Sequence, residues 1–376
     1  MKCERTIIAS NRNVPHNGRT MLDHFYRRAY EGVNYRLRSF AGGRLASHCR
    51  PVSIGFMLTN ICNAKCVHCD IWKNKGRDDS PTVEQWTQVL TDLRQWLGPV
   101  GIFFSGGEAL LKPYAPDLVA HASKIGLAVE FLTHGYWDEM KRIERLAMAN
   151  PTRVTLSLDG VGETHSLVRG RPNFFEKTTR TIDLLMSMRK EHNLQYDLRI
   201  KTVIMDQTLD SVCDVPKYTR REGMHSFFQA IEQNYNTPEE AEWYLTSPNW
   251  PRDPEKAVRI VQQLIQMKRE GFHIDNSFAQ LEAMIPYFRN PGAMRIAIQG
   301  HAAHEKKAIC SALANMQFNP NGDVVTCFGM PAVGNVKEKG IREIWEDRPD
   351  WWNSGCCLER RCSTEEKELM QITTVN

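Results

Sequence analysis

An α/β fold with a parallel sheet at its centre is what this sequence predicts, and three features carry the prediction. Between residues 52 and 231, short β-rich apolar runs alternate with longer amphipathic stretches, the pattern of consecutive strand and helix units. Several helix starts carry capping signals and several helix ends carry glycine. With 41% hydrophobic and 24% charged residues over 376 positions, the chain has the composition of a folded globular protein.

The first 50 residues hold Phe25, Tyr26, Tyr30, Val33, Tyr35, Leu37 and Phe40 among arginines from Arg19 to Arg44. A basic amphipathic helix is expected there, packed on the main domain, with a lipid- or partner-facing surface as the alternative. Strands are predicted at 52–59, 100–105, 128–133, 153–159, 198–204 and 226–231, and helices at 82–97, 113–125, 137–148, 174–191 and 208–221. Thr82, followed by Glu84 and Gln85, supplies a capping side chain and an early acidic residue. Gly98, Gly126 and Gly223 stand where a left-handed residue closes the last helical turn. Residues 236–249 read as loop, and 254–270 as a helix because Val258, Val261, Leu264 and Ile265 recur at helical spacing. Beyond Cys310 the texture changes to cysteines and hairpin signals, with Asn321-Gly322-Asp323 between two apolar runs. The expected domains are an N-terminal extension (1–50), a core (51–235), connecting helices (236–305) and a cysteine-rich appendage (306–376).

The net charge of +4, from 48 basic and 44 acidic residues, is too balanced for a nucleic-acid or anionic-membrane footprint, and no DNA partner is expected. The opening residues lack the apolar core of a signal peptide, and no window approaches the length of a membrane span. Eleven cysteines without an export signal fit a reducing cytoplasm, where thiolates serve metals or catalysis more than disulfides.

Three of them, in Cys62-Asn63-Ala64-Lys65-Cys66-Val67-His68-Cys69, directly follow the first predicted strand. Structural zinc is one reading of such a loop, but it usually takes four protein ligands. Three thiolates on an iron–sulfur cluster leave one iron open to an exogenous chelate. The CxxxCxxC spacing resembles the radical S-adenosylmethionine (radical SAM) superfamily. That resemblance implies a partial (β/α)6 TIM-like barrel, a SAM-binding 4Fe-4S cluster on Cys62, Cys66 and Cys69, and His68 near the adenine of S-adenosylmethionine.

Other motifs extend the resemblance. Phe103-Phe104-Ser105-Gly106-Gly107-Glu108 is similar to the turn that meets the methionine amino group of the cofactor. Two glycines permit close approach to a ligand, and Glu108 can accept hydrogen bonds from an amine; a plain strand-to-helix turn is the bland alternative. Ala109 stands where the family often has proline. Thr133-His134-Gly135 replaces the usual Thr-Asn-Gly, and Ser157-Leu158-Asp159-Gly160 precedes His165 and Arg169. All fall at strand C-termini, the ligand face of such barrels. The resemblance implies Ser105, Gly106, Gly107, Glu108, Thr133, Ser157 and Arg169 as cofactor contacts, with Ser157 toward the ribose or carboxylate and Arg169 toward an anionic group. Asp159 is a candidate for proton exchange with substrate or, alternatively, a turn cap.

Cys310, Gly322 and Cys327, followed by Cys356, Cys357 and Cys362, resemble the SPASM/Twitch extension. The resemblance implies one auxiliary 4Fe-4S cluster on Cys310, Cys327, Cys362 and Cys357, with Cys356 in place of Cys357 as the alternative and a four-thiolate zinc as another. The implied function is reductive cleavage of S-adenosylmethionine to a 5′-deoxyadenosyl radical that abstracts a hydrogen from a small molecule (a sugar, aminocyclitol, nucleoside or lipid precursor). Flavodoxin or ferredoxin is the implied electron donor. Peptide-modifying relatives often carry a leader-binding domain larger than the stretch before the first strand, which favours the small molecule. The alternatives are modification of a ribosomally made peptide or of RNA, or a cluster protein that only carries electrons.

Overall fold

The computed structural model describes residues 21–39, 48–76, 79–235, 237, 240, 242–291, 313–327 and 331–348. It opens with helix α1 (Met21–Ser39). Tyr26 donates to the carbonyl of Leu97 at 2.8 Å and Tyr30 to that of Pro51 at 2.7 Å. One face of α1 is thereby fixed on the main domain, while Met21, Leu22, Phe25 and Val33 stay exposed.

Six parallel strands form the partial barrel: β1 (Ser53–Met57), β2 (Gly101–Ser105), β3 (Ala128–Thr133), β4 (Arg153–Ser157), β5 (Asp197–Ile204) and β6 (His225–Ala230). Each pairs with its sequence neighbour, in the order β6-β5-β4-β3-β2-β1. The crossovers are α2 (Val83–Leu97), α3 (Ala115–Lys124), α4 (Lys141–Met148), α5 (Glu163–Arg169), α6 (Phe174–Glu191) and α7 (Asp214–Arg221). The cap of α2 is a full capping box: Thr82 and Gln85 each bond the other's backbone N–H, at 3.2 and 2.8 Å. Gly98, Gly126 and Gly223 adopt φ of +80, +87 and +66°, conformations that favour glycine.

Helices α4 and α7 start four and six residues later than their sequence suggests. Trp137, expected inside α4, is instead buried in the preceding loop and stacks on His134 at 6.0 Å. The stretch before α7 forms a 3-10 turn at Asp206–Thr208. The seven-residue α5 is too short for periodicity to reveal.

After β6 come α8 (Trp243–Thr246), α9 (Pro254–Arg269) and α10 (Phe278–Arg289), then β7 (Asn315–Phe318), β8 (Asp323–Val325), β9 (Gly334–Asn335) and α11 (Ile341–Glu346). The hairpin signal at Asn321-Gly322 corresponds to the antiparallel pair β7 and β8, with Gly322 at φ +91°. Strand β7 is hydrogen-bonded in parallel to β1, so the described strands of the C-terminal segment continue the barrel's sheet. Phe318 on β7 stacks on Phe56 of β1 at 4.5 Å between ring centres.

The pleat separates two faces. Phe56, Phe104, Phe131, Leu156, Ile200 and Phe228 point one way and are fully buried. Glu130, Arg153, Arg199, Lys201 and Gln229 alternate with them and line the hollow of the partial barrel.

Candidate active site

The cysteine loop leaves β1 at the C-terminal mouth of the barrel and is held by backbone contacts on both sides. Lys65 N–H donates to the Arg169 carbonyl at 3.0 Å and Val67 N–H to that of Val168 at 2.9 Å. Asp70 N–H donates to the carbonyl of Tyr235 at 2.9 Å. The amides of Asn234 and Asn249 donate to the Val67 carbonyl at 3.2 and 2.9 Å. A Cβ at Gly170 would lie 2.1 Å from the Lys65 carbonyl oxygen, so only glycine allows α5 to end against the loop.

Burial pushes the Cys62 thiol up to about 12 and the Cys69 thiol to about 11, and raises Cys66 as well. Cys62 feels Glu108 and both other thiols. Burial disfavours three thiolates here unless cationic charge compensates them. Among the described residues, no three His, Cys, Asp or Glu side chains converge closely enough to hold a single metal ion. Three cysteine thiols within eight residues of one loop fit a four-iron cluster that keeps one iron open. The second cysteine group is not comparable: Cys327 follows β8, and Cys310, Cys356, Cys357 and Cys362 lie outside the described residues.

The Gly106-Gly107-Glu108 turn packs against the run into the cysteine loop. Gly107 N–H donates to the Thr59 carbonyl at 2.7 Å and Glu108 N–H to that of Ile61 at 2.9 Å. A Cβ on Gly106 would come within 2.5 Å of the Thr59 carbonyl oxygen, and one on Gly107 within 2.2 Å of that of Ile61. The close approach expected toward a ligand is thus made to the chain's own backbone. Glu108 is 1% exposed and accepts from Leu110 N–H, from the Thr133 hydroxyl at 3.0 Å and from His134 N–H at 2.9 Å. Burial, opposed by these donors, raises its carboxyl to about 7. Thr133 therefore meets Glu108. Ser105 ends β2 opposite Met57.

Asp159, read as a proton-exchange candidate, is fully buried. It accepts from Arg169 Nε at 2.7 Å and Val203 N–H at 3.0 Å. Burial alone would raise its carboxyl, yet Arg169, His68 and His165 hold it below the usual range. A solvent-excluded carboxylate paired with a guanidinium serves as its counterion in this structure. Arg169 in turn reaches Cys66 Sγ with Nη1 at 3.5 Å. In this structure it meets the Asp159 carboxylate and the Cys66 sulfur. Ser157 ends β4 with its hydroxyl unbonded among the described residues, beside Lys201 in the sheet register. His68 is held neutral by burial, lowered to about 4, and its Nδ1 is buried without a partner.

Sequence reasoning missed Lys201, Tyr235, Asn249 and Asn63. Lys201 is the most consequential: its ammonium has no hydrogen bond or ion pair among the described residues. Burial lowers its pKa, and Arg199 lowers it further. Its signal was legible, since Asp197, Arg199 and Lys201 occupy alternate positions of a strand that is otherwise largely apolar.

A three-cysteine loop beside a buried carboxylate at the mouth of a parallel partial barrel is the arrangement expected of an iron–sulfur enzyme. Family comparison gives the particular class: residues 56–198 match the radical SAM superfamily and residues 310–353 the SPASM iron–sulfur cluster-binding domain, and the chain is a radical SAM superfamily enzyme with a SPASM domain. Its cofactors are accordingly the SAM-binding 4Fe-4S cluster, S-adenosylmethionine and an auxiliary cluster. It is 26% identical to the AdoMet-dependent heme synthase of Methanosarcina barkeri over 79% of this chain and 82% of that protein. It is 38% identical to the PqqA peptide cyclase of Streptomyces rochei over 29% of this chain and 30% of that one. The fold is similar to that of Streptococcus suis SuiB bound to its precursor peptide SuiA, with a TM-score of 0.61, 14% identity, and coverage of 91% of this chain and 73% of that one. No helix among the described residues is long and apolar enough to cross a membrane.

Proposed function

We propose that this enzyme abstracts a hydrogen from a ribosomally made peptide. The cluster that Cys62, Cys66 and Cys69 would hold, together with S-adenosylmethionine, would supply the one-electron reductive chemistry from which hydrogen abstraction follows. The observation that carries the peptide reading is the 38% identity to a peptide cyclase, supported by the fold shared with a precursor-peptide complex. This replaces the small-molecule substrate expected from the sequence. A tetrapyrrole is the second reading, because the heme synthase match spans most of both chains.

In this reading Cys62, Cys66 and Cys69 hold the cluster, with Arg169 beside Cys66 balancing its negative charge. Glu108 lies in the turn that receives the cofactor's amine. Gly106, Gly107, Ser105 and Thr133 shape that turn, while His68 and Ser157 face the rest of the cofactor. Lys201 offers a half-buried cation to an anionic group, worth more there than in water. Cys310, Cys327, Cys362 and either Cys357 or Cys356 would hold the auxiliary cluster, and a flavodoxin or ferredoxin would supply electrons.

The test is anaerobic reconstitution with iron and sulfide, reduction with dithionite, and assay of 5′-deoxyadenosine with a Cys62/Cys66/Cys69 triple-alanine control. Candidate precursor peptides and carboxylated porphyrins are then added and followed by mass. Peptide-stimulated 5′-deoxyadenosine with a peptide mass change is expected. Stimulation by porphyrins alone would transfer the reading to tetrapyrroles, and zinc in place of iron would overturn both.

A further inference from the structure

One buried side chain joins the two halves of the cofactor site. His134 Nδ1 accepts the Tyr136 N–H at 2.9 Å. In a neutral imidazole the proton must then sit on Nε2. Burial holds the ring neutral, lowered to about 3, with Arg169 and His165 opposing its charge further. Nε2 lies 2.8 Å from Asn63 Oδ1 and 3.2 Å from Glu108 Oε2, so a single N–H is shared between two acceptors. Asn63 directly follows Cys62 in the cysteine loop, and its carbonyl accepts from Arg171 Nε at 3.0 Å.

The ring has no freedom to leave. It stacks on Trp137, meets the edge of Phe174 at 5.4 Å, and its own carbonyl accepts from the Thr178 hydroxyl at 3.1 Å. Glu108 already holds the backbone N–H of His134 itself, so one residue fixes the carboxylate through both its main chain and its ring. An asparagine, shorter by an atom and lacking a ring to stack, would not reproduce this arrangement.

We propose that His134 is a positioning residue that sets the spacing between the cysteine loop and Glu108. Through them it sets the spacing between the cluster and the cofactor's methionyl amine. The second half of this statement rests on the cofactor reading above; the first half does not.

His134→Phe keeps the ring's packing and deletes the shared N–H. In the apoprotein, amide hydrogen exchange over residues 62–69 should quicken about tenfold, with the barrel strands unchanged. After reconstitution with equal iron content, equilibrium binding of S-adenosylmethionine should weaken by about tenfold. His134→Gln, which restores a donor, should recover part of each. Asn63→Ala should quicken loop exchange to a similar extent, and combining it with His134→Phe should add little, the signature of a shared interaction.

Loop exchange within about twofold of wild type in both single variants, or fully additive effects in the double variant, would overturn the proposal. Faster exchange across the whole barrel together with lost iron in His134→Phe would mark a structural role, and would also overturn it. If the wild type itself binds no S-adenosylmethionine, the cofactor reading fails while the exchange comparison still decides the first half.

Discussion

The two faces of the barrel's sheet obey different rules. Toward the helices, Phe56, Phe104, Phe131, Leu156, Ile200 and Phe228 are all excluded from water, and Phe104 lies 5.1 Å from Phe56 and 6.2 Å from Phe131 between ring centres. Toward the hollow, the same strands carry charge: Arg199 pairs with Glu130, Thr155 donates to Glu130 at 2.6 Å, and Arg153 reaches Asp197 at 3.5 Å. An apolar filling would make the second face more stable and useless for holding a polar ligand. The contrast shows that fold stability is concentrated on one side of each strand and chemistry on the other.

The contrast is best attacked first on its apolar side. Phe104→Ala removes a fully buried ring and should cost about 3–5 kcal/mol, measured by denaturant unfolding of the apoprotein. Arg199→Met acts on the other side. It leaves Glu130 with Thr155 as a donor and with partial access to the hollow, so the loss should be smaller, about 1.5–3 kcal/mol. If Arg199→Met proves as costly as Phe104→Ala, the hollow is a structural core and the separation of roles fails.

Both faces were legible in outline. Alternation in Asp197–Ile204 already puts Arg199 and Lys201 on one side, because strand period fixes the side without any tertiary information. The strands and most helices are equally local in origin. What the sequence could not show is which polar groups meet. Asp159 and Arg169 are ten positions apart, yet Arg169 also reaches Cys66 across 103 positions. That second contact depends on how the loop after β1 folds against α5. His134 is similar: its motif marked a departure from the usual asparagine, while its bonds to Asn63 and Glu108 arise only once three loops assemble. Gly106 and Gly107 read as permitting close approach to a ligand, whereas their approach to the backbone at Thr59 and Ile61 is a tertiary fact the sequence does not show.

The smallest effect separates the faces by pH. His134 and His165 are buried and lowered to about 3, and His68 to about 4, all chiefly by burial. The unfolded chain protonates these rings near pH 6.5 while the folded chain does not, so their contribution is present above that pH and is lost as pH falls. Glu108, raised to about 7, has the opposite sign: between pH 7 and 4.5 the folded state holds a proton that the unfolded state releases. Stability of the apoprotein should therefore fall from pH 6.5 to 5, with Glu108 offsetting one histidine. Glu108→Gln removes that offset, and the slope should steepen by about 1.4 kcal/mol per pH unit between pH 6 and 5. The deficit of Phe104→Ala, on a face without titratable groups, should be the same at pH 5 and pH 7. Denaturant midpoints at those pH values check both, and a Glu108→Gln slope equal to wild type would mean that Glu108 is ionised in the folded apoprotein.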